Sequence, residues 1–152
     1  MAYIISELHG QYGGKIGVAE QMILQSKFGG ADAVKVQLYS PEFDSNARNY
    51  DKPGDFLSLP YEDLKKLQAW AKGLHIDFFA SFFDEERLNW CLELDFPILK
   101  IANWVTINKP ELVEKAIASG KPVLISLNNE QLKKDKPYTA KNVKYLYTEP
   151  KY

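Results

Sequence analysis

Short apolar runs alternate with segments of helical periodicity along most of the chain. The runs Tyr3–Glu7, Asp32–Leu38, Ile76–Phe82, Pro97–Ala102, Pro122–Ser126 and Val143–Thr148 read as six strands. Between them, Lys15–Gly29 places Ile16, Ala19, Ile23 and Leu24 at helical spacing, and Tyr61–Leu74 does the same with Leu64, Leu67, Ala71 and Leu74. Asp84 is positioned to cap a third helix whose Leu88, Cys91 and Leu92 share a face. A fourth, Lys109–Ser119, carries Pro110 in its first turn, an apolar set of Leu112, Val113 and Ala116, and Gly120 as its stop. Strand–helix–strand repeats with short turns predict parallel strands joined by right-handed crossovers. The class is therefore α/β, and either an open doubly wound sheet or a (β/α) barrel fits. Residues 1–152 read as one domain with no linker, since a chain of this length suits a single core.

Two stretches break the rhythm. Tyr39–Leu59 is a long polar loop, of the length usually reserved for lids or disordered segments, and its Arg48 is placed either to reach a carboxylate or to stay solvated. Asn128–Asn142 should hold the fifth crossover helix, but it is Lys-rich and interrupted by Pro137, so only a poor helix fits.

In both candidate folds ligands gather at the carboxyl ends of the strands. Those ends read Glu7; Lys35 and Gln37; Ser81; Lys100 and Asn103; Ser126. Lys35 and Gln37 are two apart and so share a strand face. A charge inside an apolar parallel strand is costly unless paired. One reading is that each lysine snorkels its head to water from a strand edge. The other is that lysines, hydroxyls, amides and a carboxylate converge on an anionic substrate bearing phosphate and carboxylate groups.

Charge and composition narrow the partners. The net charge of −1, without long runs of one sign, argues against nucleic acid or a membrane surface held by bulk electrostatics. No apolar run approaches a membrane span and no signal-peptide pattern is visible, so a cytoplasmic location is expected. Cys91, the one cysteine, lies in an apolar pattern and reads as a buried free thiol. His9 follows Glu7 and reads as a turn residue or a site residue; His75 precedes the third strand, at the amino end.

The blocks "IISELHGQYGG", "GGADAVKVQLYS", "FFASFFDEE", "ILKIANW" and "SGKPVLISLNN" together resemble the sialic acid synthase (N-acetylneuraminate synthase) family. Its motifs run Glu-Ile-Gly-x-Asn-His-x-Gly, Gly-Ala-Asp-x-Val-Lys-x-Gln, Ser-Thr-Pro-Phe, Tyr-Lys-Ile-Ala-Ser and Gly-Lys-Pro-x-x-x-Ser-Thr-Gly, in the same order. The resemblance implies an incomplete TIM-type barrel of about six strands and a reaction condensing phosphoenolpyruvate with an N-acetylated amino sugar. It implies an acid/base or sugar-positioning role for Glu7, phosphoenolpyruvate binding by Lys35 and Lys100, and substrate binding by Gln37, Ser81, Asn103, Ser126 and Tyr152. Departures are equally specific. Gln11 and Tyr12 replace Asn-His, Asn103 replaces a serine, and Leu127, Asn128 and Asn129 replace Thr-Gly-Met.

A divalent metal, Mn or Mg, is expected for the family through two histidines on later strands, and those ligands have no counterpart in this sequence. Six strands leave edges that a second copy or a complementing chain is expected to cover. Two alternatives stay open: a non-catalytic phosphoenolpyruvate or sugar-phosphate binding protein, and an aldolase-like enzyme forming a Schiff base on Lys35 or Lys100.

Overall fold

A computed structural model describes residues 2–40, 58–132 and 137–148. Residues 41–57, most of the long polar loop with Arg48, lie outside these, as do 133–136 and 149–152 with Tyr152. Packing divides the chain into two compact units, residues 1–96 and 97–152.

The first unit is built from β1 (Ile5–His9), α1 (Ile16–Phe28), β2 (Ala33–Leu38), α2 (Tyr61–Gly73), β3 (Asp77–Phe82) and α3 (Glu85–Glu93). Its strands run parallel in the order β1-β2-β3. Both faces of β2 and β3 are buried, as continuous apolar runs in a parallel sheet require. The predicted helix faces bury at Ala19 and Ile23 on α1, Leu64, Leu67 and Ala71 on α2, and Leu88 and Cys91 on α3, while Ile16, Leu24, Leu74 and Leu92 are half-buried. Asp84 caps α3 as expected, its carboxylate accepting from the Arg87 backbone N–H at 2.9 Å.

The second unit holds β4 (Leu99–Ile101), α4 (Asn103–Asn108), α5 (Pro110–Ala118), β5 (Val123–Leu127), α6 (Asn129–Leu132) and β6 (Val143–Tyr147). Its strands are again parallel, β4-β5-β6. Leu112, Val113 and Ala116 bury as predicted, and Gly120 leaves α5 at a φ of +76°, where a side chain would be strained. Among the described residues of the fifth crossover, helix is limited to the four residues of α6.

Two local expectations are corrected. Asn103 does not end a strand: β4 stops at Ile101, and Asn103 opens the short helix α4, which the apolar pattern did not announce. Strand β1 continues past Glu7 to His9 through a bulge, in which Leu8 and His9 together oppose Val36. The bulge turns Leu8 into the core and holds His9 at a φ of +46°.

Candidate functional site

In the first unit the register sets Glu7 beside Lys35 and Gln37 beside Ser81. Lys35 is buried in the sheet, and its ammonium forms an ion pair with Glu7 Oε2 and donates to Ser81 Oγ at 3.0 Å. Burial pushes the Lys35 ammonium below its ordinary value, while the charge and hydrogen bond of Glu7 pull it back up. The other Glu7 oxygen accepts the His9 backbone N–H at 2.9 Å, so the bulge itself fixes the carboxylate. The half-exposed Glu7 gives this cluster its access to solvent.

The Gln37 side-chain Oε1 accepts from the Tyr39 hydroxyl. Tyr39 stacks on Phe83 with centroids 4.3 Å apart and meets the His9 ring edge-on at 6.0 Å. Three aromatic rings thus stand at the carboxyl ends of the strands, His9 as the last residue of β1 and Tyr39 and Phe83 just past β2 and β3. Tyr12, where the family resemblance expects histidine, is buried, and its phenol is pushed up to about 12 by that burial.

The second unit has its own lysine–serine pair. Lys100 Nζ donates to Ser126 Oγ and to the Ile101 carbonyl, both at 2.8 Å, and both side chains are buried. Asn103 Nδ2 donates to the Ser126 carbonyl at 3.4 Å and to Gln131 Oε1. Asn128 and Gln131 close a reciprocal box: the Asn128 N–H donates to Gln131 Oε1 at 2.9 Å, and the Gln131 N–H donates to Asn128 Oδ1 at 3.0 Å. Sequence reasoning missed Gln131, although Asn-x-x-Gln at positions 128–131 is a capping-box spacing legible without coordinates.

Glu7, Lys35 and Ser81 therefore meet in one cluster with Gln37 in register beside them, and Lys100, Ser126 and Asn103 meet in another. Both are built alike, with a lysine from one strand bonded to a serine hydroxyl from a nearby strand. Such a pair presents a positive charge and a rotatable donor, the chemistry that binds phosphate or carboxylate oxygens. A resident metal finds no such provision: among the described residues no group of three or more His, Cys, Asp or Glu is placed to hold an ion. His9 stands at the carboxyl end of β1 and His75 in the turn before β3, at opposite ends of the strands. No helix of the described residues is long and apolar enough to cross a membrane.

Residues 22–136 match the NeuB family, and the chain belongs to it. Its parallel strands alternating with helices are part of a TIM-type (β/α) barrel. Among its relatives, the N-acetylneuraminate-9-phosphate synthase of Mus musculus is 33% identical over 82% of this chain. The pseudaminic acid synthase of Helicobacter pylori is 28% identical over 81%. The chain spans only 38% and 40% of those two proteins. Among solved structures, the N-acetylneuraminic acid (sialic acid) synthetase of Leptospira borgpetersenii, in complex with citrate, superposes with a TM-score of 0.74 at 32% identity, covering 84% of this chain and 45% of that one. A DAHP synthase from Thermotoga maritima shares the fold, with a TM-score of 0.63 at 18% identity over 82% of this chain and 33% of the other.

Proposed function

We propose that this protein serves the condensation of phosphoenolpyruvate with an N-acetylated amino sugar, in the biosynthesis of a sialic or related acid. The observation that carries the reading is the Lys35 cluster: a buried ammonium held between a carboxylate and a hydroxyl in a family whose relatives are sialic and pseudaminic acid synthases. By family resemblance Lys35 with Ser81, and Lys100 with Ser126, are each the lysine–hydroxyl pair that offers positive charge and a donor to anionic oxygens of phosphoenolpyruvate. Gln37 and Asn103 add amide groups, and Tyr152 joins the substrate set by family resemblance.

Glu7 is the acid/base candidate. In the condensation the enol carbon attacks the sugar aldehyde and a carbon–carbon bond forms; the aldehyde oxygen takes a proton, water adds at the carbon bearing the phosphate, and the phosphate leaves as that carbon becomes a ketone. A half-exposed carboxylate beside a lysine is suited to positioning the sugar hydroxyls or relaying that proton. A Mn or Mg ion, expected for the family, would polarise the aldehyde. The described residues offer it no ligand set, so no step is assigned through it.

Calorimetry with phosphoenolpyruvate tests the reading. Lys35→Ala and Lys100→Ala are each expected to weaken binding by about ten-fold or more, the scale of one lost charge-assisted contact. Unchanged binding in both variants sinks the anion-site reading. Binding without sugar-dependent phosphate release, in the presence of Mn or Mg, assigns the protein to the non-catalytic alternative.

A further inference from the structure

The second cluster contains a feature that the family resemblance does not predict. Asn103 Nδ2 has two N–H groups, and its two bonds commit both of them, one to the Ser126 carbonyl and one to Gln131 Oε1. The Asn128 backbone N–H is also committed, at 2.9 Å, to that same Gln131 oxygen. A single neutral carbonyl oxygen thus gathers two donors, one from the first residue of α4 after β4 and one from the residue that follows β5. Beside them, Lys100 and Ser126 are joined at 2.8 Å. Two N–H donors converge on the Gln131 oxygen, and Asn103 also bonds the carbonyl of Ser126, whose hydroxyl accepts from the Lys100 ammonium; that is the arrangement an anion oxygen would seek. Here the oxygen belongs to the chain.

We propose that the Gln131 carboxamide is an internal competitor for anion oxygens at the Lys100–Ser126 cluster. The inference rests on the reading that this cluster takes an anionic substrate, and it names the residue that sets the affinity. In the unliganded chain Gln131 Oε1 satisfies Asn103 and Asn128 and keeps two half-buried donors from going unpaired. An arriving phosphate or carboxylate gains those donors only by displacing the side chain. The observed affinity is then the intrinsic affinity reduced by the fraction of molecules in which Gln131 is displaced. Asn103, a departure from the family pattern, brings a side-chain donor, and the Asn128 backbone brings the other. The Asn128 side chain holds the Gln131 N–H, and Gln131 Oε1 occupies both donors.

The test is a calorimetric titration of the purified chain with phosphoenolpyruvate and with inorganic phosphate, comparing wild type, Gln131→Ala, Gln131→Glu and Lys100→Ala. Gln131→Ala is expected to tighten binding by about five-fold, the scale of one net hydrogen bond no longer competed for. Gln131→Glu, a stronger acceptor that adds negative charge, is expected to weaken it by about ten-fold or more. In the wild type, the Asn103 side-chain amide and Asn128 backbone amide resonances are expected to shift on titration. Lys100-dependent binding that Gln131→Ala leaves unchanged or weakens overturns the competitor and leaves the anion site standing. Absence of Lys100-dependent binding in both wild type and Gln131→Ala overturns the two together. Should Gln131→Ala lose its fold by circular dichroism, Gln131→Glu decides alone, and an unchanged affinity there overturns the proposal.

Discussion

Lys35 is a charge kept where a charge is expensive, and its neighbours say how. Its ammonium has left water for a sheet interior, and Glu7 and Ser81 replace the lost hydration. Removing the carboxylate strands the ammonium. Breaking a fully buried pair costs about 3–5 kcal/mol, but Glu7 is 39% exposed, so Glu7→Gln is expected to cost less, about 1–2 kcal/mol in urea denaturation. Glu7 opposes the lowering that burial imposes on Lys35, and with Ser81 it ties up the amine that imine formation needs free. Borohydride with a carbonyl substrate is accordingly expected to trap nothing on Lys35 or Lys100 by mass spectrometry, and an adduct on either revives the aldolase alternative. Cys91 shows the opposite case. Burial pushes its thiol up from the ordinary 9.0, so the folded chain holds that proton to higher pH than the unfolded one. Between those two values the unfolded chain binds fewer protons, and stability falls as pH rises. Tyr12, pushed up from 10.0 to about 12 by burial, adds in the same direction from pH 10 upward. Lys35 has the opposite sign: its lowered value lifts stability as pH rises toward its ordinary 10.5, offsetting part of the loss. The melting temperature is expected to drop between pH 8.5 and 10, about where the unfolded thiol ionises, and to drop less steeply in Cys91→Ala. Equal slopes for both proteins would show that the thiol is not the cause.

At the scale of elements, three helices end in the same way. Past α1, α2 and α3 the N–H groups of Ala31, Ile76 and Phe96 reach back to the carbonyls of Ser26, Ala71 and Cys91 at 3.0–3.2 Å. The residue before each stands in the left-handed region: Gly30, His75 and Asp95. Only the first is a glycine. His75 is exposed and its carbonyl accepts from Lys27 Nζ, a bond the backbone of any residue can provide. His75→Gly is therefore expected to raise stability by about 1 kcal/mol in urea denaturation, because it removes left-handed strain without a lost contact. A loss of stability would show that the imidazole has a structural role of its own. Asp84→Ala is expected to cost about 1 kcal/mol, since it removes both a cap and an ion partner of Arg87.

These ends also show what the sequence could and could not announce. The cap at Asp84, the helix start at Pro110 and the stop at Gly120 were legible because each residue type has one strong local use. Lys35, Ser81, Lys100 and Ser126 were legible because polar residues in apolar strands demand partners. The β1 bulge was not, since it depends on the register against β2. Helix α4 was not, since six residues give too short a window for periodicity to register. Gln131 was reachable from spacing, but its third bond, to Asn103, exists only once β4 and β5 lie side by side.

For the molecule as a whole, the strands divide by how well they are covered. In β2, β3, β4 and β5 nearly every residue is buried, which is what parallel strands need on both faces. Strand β6 buries none: Val143, Tyr145 and Leu146 are half-buried, and Tyr147 is 54% exposed. Strand β1 buries only Leu8, and Ile4 just before it is 54% exposed. Among the described residues β1 pairs only with β2, and β6 only with β5, so each has one edge of backbone donors and acceptors free. Such edges template further pairing unless they are short, kinked or charged. Both are five residues long, β1 is kinked at its bulge with Glu7 alongside, and β6 carries exposed Lys144. These features weaken pairing but leave the apolar residues uncovered. The 152-residue chain is expected to self-associate with a concentration-dependent sedimentation coefficient, either with copies of itself or until a complementing chain is supplied. Charges placed on the edges, Ile4→Lys with Tyr147→Lys, are expected to shift the protein toward monomer with its circular dichroism unchanged. A monomer at every concentration in the parent chain would mean that the bulge, Glu7 and Lys144 protect the edges by themselves.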